Sequence, residues 1–357
     1  MTKVKFFLSI LLLFSLLPGC KPKVGDRPDI PTSQTKLDHL VIWEVFYTGS
    51  WQARTGGGSR SASGYADMKP MYIKIFNPTE ETKYLDGLGL ATSAHLNTAH
   101  SEIKLENSDQ DFCKTNAAVG EILRFPGSGQ EHPIKPGETI LVAKIARDFT
   151  KGAPSSEDDE EIEKGNPLSL DLSKANFEWF SMPEQFEEDD SKDNPKVPNL
   201  ERKFFYKDDE SKGLNPTNRT LILFEAKDIE YFDKINKNAP EFYKKYTITR
   251  YAASNTYDEF WTSPIVPNDW IIDAVNISPI NAYKMRNVDE KIDGGWYGVF
   301  QREWSVNSMK QKDTGLAIRR KWNGKIYEDT NNSSHDFEVV KASLETAKQG
   351  ESASTQK

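Results

Sequence analysis

Short runs of β-branched and aromatic residues, each closed by a turn signal, recur along this chain and point it toward sheet. Branched and aromatic side chains are stiff and fit a pleated, half-buried surface better than a helix. Leu40-Val41-Ile42-Trp43-Glu44-Val45-Phe46-Tyr47 closes at Gly49, and Met71-Tyr72-Ile73-Lys74-Ile75-Phe76 alternates into Asn77-Pro78. Tyr84-Leu85-Asp86-Gly87-Leu88-Gly89-Leu90 follows as strand and turn. Further strands are expected at Ile122–Phe125, at Thr139–Ile145 behind the turn Pro136-Gly137, and at Arg219–Phe224. Trp270–Ile277, Gly298–Trp304 and Leu316–Trp322 complete the set. One helix is expected over about Lys227–Lys237, where Ile229, Phe232 and Ile235 recur every three residues, and a short second one can start at Pro240. Strands this numerous predict a mainly β fold, a β-sandwich with one or two short helices, rather than α/β.

Charge limits the partners. Lys plus Arg number 46 against 54 Asp plus Glu, a net charge of −8. Phosphate binding wants a basic face, so nucleic acid is excluded as the main partner. The acidity is local: residues 151–215 hold 18 Asp plus Glu and 9 Lys plus Arg, a net of −9, and the remainder of the chain is near neutral. Runs such as Glu157-Asp158-Asp159-Glu160-Glu161 and Glu187-Glu188-Asp189-Asp190 repel themselves and read as exposed loops. Between them, Leu168–Leu172 and Phe177–Phe180 can pack on the sandwich, so 151–215 is expected to be a partly ordered insertion within one domain.

The N-terminus reads as a targeting segment. Lys3 and Lys5 precede an apolar stretch from Phe6 to Leu17, too short for the ~20 residues a bilayer span needs. Leu17-Pro18-Gly19-Cys20 resembles a bacterial lipobox, with Pro18 where Ala or Ser is usual. Residues 1–19 are then a signal peptide, Cys20 the lipidated first mature residue, and 20–36 a flexible stalk rich in Lys, Pro and Gly. That leaves Cys113 alone, so no internal disulfide is expected, and no base in its sequence neighbourhood would activate it. The folded domain is expected over 37–340, and 341–357, rich in Ala, Ser, Lys and Glu, as a disordered tail.

Several segments share a family pattern. Tyr72-Ile73-Lys74-Ile75-Phe76-Asn77-Pro78 followed by Leu85-Asp86-Gly87-Leu88-Gly89-Leu90 resembles the lamin-tail domain, with Lys74 at a position usually held by Glu. Pro136-Gly137-Glu138 before Ile140-Leu141-Val142-Ala143, Ile271-Ile272-Asp273-Ala274-Val275, and Arg319-Arg320-Lys321 through Asp329-Thr330-Asn331-Asn332-Ser333-Ser334-His335-Asp336-Phe337 continue it in order. Together they resemble a Bacteroidota lipoprotein family, domain-of-unknown-function family 4876, related to lamin tails. The resemblance implies an immunoglobulin-like sandwich on a lipid-anchored envelope protein, in a family often associated with outer-membrane transporters. It brings no catalytic residues, and its Asx positions near the end read as turn-formers.

No catalytic constellation stands out. His95 and His100 are five apart, which fits neither a helix face nor a strand face, and nothing completes a zinc set. Gly56-Gly57-Gly58-Ser59 lacks the Lys-Ser/Thr pair of a phosphate loop, and no Gly-x-Ser-x-Gly elbow occurs. No cofactor is expected; calcium, on the loop Asp189-Asp190-Ser191-Lys192-Asp193-Asn194, is the one ion left open. Trp51, Arg54, Arg60 and Trp179 are the candidates for ligand or partner contact, because aromatic and Arg side chains anchor interfaces. The expected function is non-enzymatic: an outer-membrane, lipid-anchored binding or accessory component of a transporter or surface complex. A structural or adhesive surface module, or a metal-dependent enzyme, is the alternative. Which face of the outer membrane it occupies is left open by the stalk.

Overall fold

The computed structural model describes residues 37–53, 64–151, 153–154, 162–163, 165–179, 193–205, 214–228, 230–235, 239–302 and 309–348, with backbone alone at 53, 153–154 and 162–163. Its strands, in chain order, begin with β1 (Val41–Phe46), β2 (Ser50–Ala53), β3 (Gly64–Asp67), β4 (Tyr72–Phe76), β5 (Lys83–Tyr84), β6 (Leu88–Ser93) and β7 (Ser101–Leu105). Then come β8 (Asn116–Arg124), β9 (Pro133–Ile134), β10 (Thr139–Ala143), β11 (Ala153–Pro154), β12 (Ile162–Glu163), β13 (Phe177–Glu178), β14 (Glu201–Phe205) and β15 (Thr220–Glu225). The chain closes with α1 (Tyr231–Lys234), β16 (Tyr243–Tyr251), β17 (Thr256–Pro267), β18 (Ile271–Asn276), β19 (Leu316–Arg320), α2 (Ser333–Asp336) and β20 (Phe337–Lys341).

Two sheets carry the architecture. A six-stranded sheet has the order β13-β10-β4-β1-β19-β20, and an eight-stranded sheet runs β18-β15-β6-β8-β17-β16-β7 with β14 also on β8. Ile42 and Val45 of β1, Ile73 and Ile75 of β4, Leu90 of β6, Leu221 and Leu223 of β15 and Val275 of β18 meet in one core between them. This is the expected mainly β sandwich. Its outer faces are covered too: Tyr231, Ile235 and Phe242 pack over the larger sheet, and Leu172, Ala175 and Val197 of the acidic insertion pack over Phe46 and Tyr72 of the smaller one. These two outer covers explain why β1 and β4 of the smaller sheet and β6 of the larger one are buried at every position rather than at alternate ones.

The insertion adds to both sheets. β13 pairs parallel with β10, and β14 pairs antiparallel with β8. Buried Glu178 fastens it further, accepting from the backbone N–H groups of Ala146 (2.7 Å) and Asn194 (3.1 Å). Both acidic runs, 157–161 and 187–190, lie outside the described residues.

Four expectations change. The helix over 227–237 shortens to the four residues of α1, and none starts at Pro240: residues 243–267 form the long hairpin β16–β17 instead. Along that hairpin Tyr246 and Ile248 alternate into a core with Phe112 and Ile265, and this period of two outweighs the N-terminal preference of proline. Residues 298–302 are irregular, not a strand. Finally, the tail does not begin at 341. Lys341 ends β20, and residues 342–348 lie as an extended strap across the outer face of the six-stranded sheet.

Candidate functional site

β19 carries two adjacent arginines on opposite faces. Arg320 points between the sheets. Its Nη2 donates to both oxygens of Asp273 on β18, at 2.7 and 2.8 Å, and its Nε donates to the Ile42 carbonyl at 3.0 Å. Nη1 lies 3.2 Å from Asp329 and 3.5 Å from Asp336. Asp273 in turn accepts from the Ile42 N–H, and His39 Nε2 pairs with Asp329 at 3.0 Å. Burial opposes the charge on His39, but its hydrogen bonds to Asp329 and Asp38 outweigh this and raise it to about 9. Burial likewise pushes Asp329 up, yet Arg320 and His39 hold it well below the carboxylate range. A side chain that clamps both sheets and leaves no room for a substrate is a structural clasp.

Segments far apart in the sequence meet in this clasp: Asp273 of Ile271–Val275, Arg320, and the stretch 329–337. The expected turn-forming role of the Asx residues is half of what they do. Asp336 accepts from Thr330 N and Oγ1 and from Asn332 N, and Asn332 caps α2 through Ser334 N. Asp329 and Asp336 also supply charge to Arg320. Asp293, beside them, accepts from the N–H groups of Asn276, Gly295 and Ser333, and burial pushes it up to about 7 against those donors.

Arg319 points outward. The register slips between Ile42 and Glu44, so Trp43 and Glu44 share the outer face, and Glu44 stands opposite Lys74 on one side and Arg319 on the other. Lys74 Nζ binds Glu44 at 2.9 Å and lies 5.1 Å from the Trp43 ring and 4.9 Å from that of Tyr72; Arg319 Nε and the Tyr72 hydroxyl both donate to Glu44. Desolvation lowers Lys74, with Glu44 opposing. The strap roofs this floor.

Beside the strap runs an open groove of about 720 Å³. Phe46, Arg319 and Ser50 floor it, Leu168 and Leu170 form one bank, and Leu344 of the strap the other. Leu168 is 77% exposed and Leu344 48%, an apolar rim of the kind that marks binding surfaces. A smaller recess of about 290 Å³ adjoins it, sharing Ser50 and Leu168 and lined by Trp51. Trp51 is half-buried at the edge of this recess. Arg54, Arg60 and Cys20 lie outside the described residues, as do residues 189–192 of the calcium candidate.

Trp179 is a correction. It is fully buried in the inter-sheet core and cannot reach a partner; extended pairing of the preceding β13 with β10 turns it inward. Cys113 is buried as well, donating to the Arg286 carbonyl at 3.4 Å, and burial pushes its thiol up to about 12. His95 bonds the Tyr246 hydroxyl at 2.8 Å, and burial holds it down at about 3.

Sequence reasoning missed one further cluster. Asp86, Glu131 and His132 bring ligating atoms within 4.8 Å of one another. Asp86 already accepts from the N–H groups of Glu131 (2.8 Å), His132 (2.9 Å) and Gly129 (3.4 Å), so its carboxylate closes the 129–132 loop. A separation of 45 residues leaves no sequence signal for it.

The profile of a family described as "Protein of unknown function (DUF4876)" matches residues 135–343. No curated protein matches the chain. Among solved structures, it resembles the crystal structure of a DUF4876 family protein from Bacteroides thetaiotaomicron VPI-5482, with a TM-score of 0.58 and 22% identity over 84% of this chain and 70% of that one. At that identity the likeness concerns the fold.

Proposed function

Because the chain belongs to the DUF4876 family of proteins of unknown function, we propose from its surface that it is a non-enzymatic binding lipoprotein of the cell envelope, tethered at Cys20 and serving an outer-membrane transporter or surface complex. The observation that carries this reading is the open groove and its place on the domain. Leu37 packs with Val41 at the start of β1, where a tether through residues 20–36 would enter. Phe46 and Ser50 line the groove beyond the other end of β1, about 17 Å away at the ~3.3 Å rise of a strand. The groove thus lies at the opposite end of β1 from the point where such a tether would join the domain. The buried titratable groups support the non-catalytic part: Arg320, Asp273, Asp329, Asp293, His95 and Cys113 all spend their polar atoms on the chain itself.

Two arms test it. Tagged full-length chain is cross-linked in its own cells and purified beside Leu168→Glu; recovery of an outer-membrane protein by the wild type and not by the variant supports the reading, and equal recovery overturns the groove as the contact. Cys20→Ser should leave the fold intact and move the protein out of the membrane pellet after a high-salt wash, since stable anchoring needs more than one acyl chain. Full retention in the pellet overturns the lipid tether.

A further inference from the structure

The strap meets its floor as a bound peptide meets a receptor. Lys74 Nζ donates to the carbonyls of Ser343 and Glu345, both at 2.7 Å, and the Tyr72 hydroxyl lies 2.9 Å from the Ser343 carbonyl and 3.0 Å from the Ser343 N–H. Thr139 Oγ1 accepts from Ala347 N at 3.0 Å, and the Tyr327 hydroxyl accepts from Lys348 N at 2.9 Å. These bonds read backbone, as in other modes of extended-peptide recognition. Three side chains of residues 343–348 are read: Ser343 Oγ accepts from Arg319 Nη2 at 3.1 Å, Glu345 pairs with Arg319 Nη1 at 3.2 Å, and the methyl of Ala347 sits among Leu37, Val41, Trp43, Phe76 and Tyr327. Leu344, Glu345 and Thr346 are exposed.

The floor is suited to losing its cover. Glu44, Lys74 and Arg319 are fixed on three paired strands and bound to one another, so the site keeps its shape with the strap away. Opening it returns a desolvated ammonium and a carboxylate to water, which offsets part of the lost bonding; an apolar floor would have no such return.

We propose that the outer face of β4, β1 and β19 is a peptide-binding site whose resident ligand is the strap, and that a partner protein occupies it with an extended Ser-x-Glu-x-Ala segment. Arg319 selects the carboxylate, Lys74 and Tyr72 take the backbone, and the Trp43–Tyr327 pocket admits a side chain of alanine size. For the donor's identity as a partner this rests on the binding role proposed above; the site itself does not, and it is read on purified chain, so failure here leaves the open-groove reading standing.

The probe is a fluorescent peptide of residues 342–348, Ala-Ser-Leu-Glu-Thr-Ala-Lys, titrated into full-length protein. Ala347→Glu forces a carboxylate against the apolar pocket and releases the strap in cis. That variant should bind the probe at least 10-fold more tightly than the wild type, and adding Lys74→Met should abolish the gain. A folded Ala347→Glu chain that binds no better than wild type overturns the proposal, as does binding indifferent to Lys74→Met. Should Ala347→Glu fail to fold, hydrogen exchange of the wild type decides: the amides of Ser343, Ala347 and Lys348 should exchange at least 10-fold faster than those of β19, whereas exchange only with global unfolding overturns it. A wild-type dimer that dissociates when the probe is added would make a second copy the occupant and overturn the partner assignment.

Discussion

Arg319 and Arg320 are neighbours on one strand and end in two buried ion-pair networks, yet the networks differ in what closes them. Around Arg320 the walls are both sheets and the turn at 329–336, and its side chain is 1% exposed. Around Arg319 the roof, among the described residues, is the strap, and the side chain is 17% exposed. The first network cannot open without parting the sandwich. The second opens when one terminal segment lifts. Similar chemistry thus gives a clasp on one face of β19 and a recognition surface on the other, and the deciding property is the cover rather than the charges.

The largest effect should come from cutting the clasp. Arg320→Met leaves Asp273, Asp329 and Asp336 buried with His39, beside Asp329, as their remaining cation, and breaking such a network by removing one partner costs about 3–5 kcal/mol. Arg319→Met leaves buried Glu44 still paired with Lys74 and removes a side chain that is itself 17% exposed, so no carboxylate is stranded without a cation and the loss should be smaller. Urea midpoints of the two variants measure the contrast directly. Equal losses would mean that the strap seals its network as firmly as the sandwich does.

How far these networks could be seen in advance follows from the same geometry. Strands such as Val41–Phe46 and Thr220–Glu225 were legible because stiff apolar runs between turn signals have few other uses. Asp273, Arg320, Asp329 and Asp336 were visible as pieces of a family pattern, but their convergence depends on register between strands far apart in the chain. The strap was illegible for a different reason. Ser343-Leu344-Glu345-Thr346-Ala347-Lys348 has the composition of a disordered tail, and what orders it is backbone bonding to side chains on β4 and β10, which no local pattern encodes. Trp179 misled because a tryptophan serves a core as readily as an interface, and which of the two it serves is decided by the pairing of β13 with β10.

Next in size is the response to pH. Asp293 is raised to about 7, so the folded chain holds its proton longer than the unfolded one. Its ionisation therefore favours unfolding, an effect absent below about pH 4 and complete above 7. His39, raised to about 9, contributes stability that is whole below about pH 6.5 and lost as pH rises through 9. Both slopes have the same sign, whereas His95, held near 3 by burial, has the opposite slope between about pH 3 and 6.5. Above that window nothing among these three groups opposes the loss, so thermal stability should fall from about pH 6.5 toward pH 9, by about 2 kcal/mol or more. Asp293 and His39 both belong to the clasp side. Since burial also raises Asp273 to about 6 and Glu178 to about 7, these titrate over the same range as Asp293, and Asp293→Asn should gain stability relative to wild type as pH rises from 5 to 7 while leaving affinity for the strap peptide unchanged. An Asp293→Asn chain whose midpoint tracks the wild type from pH 5 to 7 would mean that the donors around Asp293 offset its burial.

The smallest expected effect is the one that separates backbone recognition from side-chain recognition in the strap. Glu345→Ala removes a pair whose carboxylate is 71% exposed, while the Glu345 carbonyl keeps its bond to Lys74. Exposed pairs contribute about 0.2–1 kcal/mol, so the urea midpoint should barely move, and less than for Lys74→Met, which takes away two carbonyl partners and one partner of Glu44 together. Hydrogen exchange at Ala347 and Lys348 should quicken only a few-fold in Glu345→Ala. If it instead rises to the rate of an unprotected amide, the carboxylate holds the strap and Lys74 merely fills the space beneath it. The outer network would then resemble the inner one more closely, since a charge pair rather than a row of backbone bonds would be what shuts it.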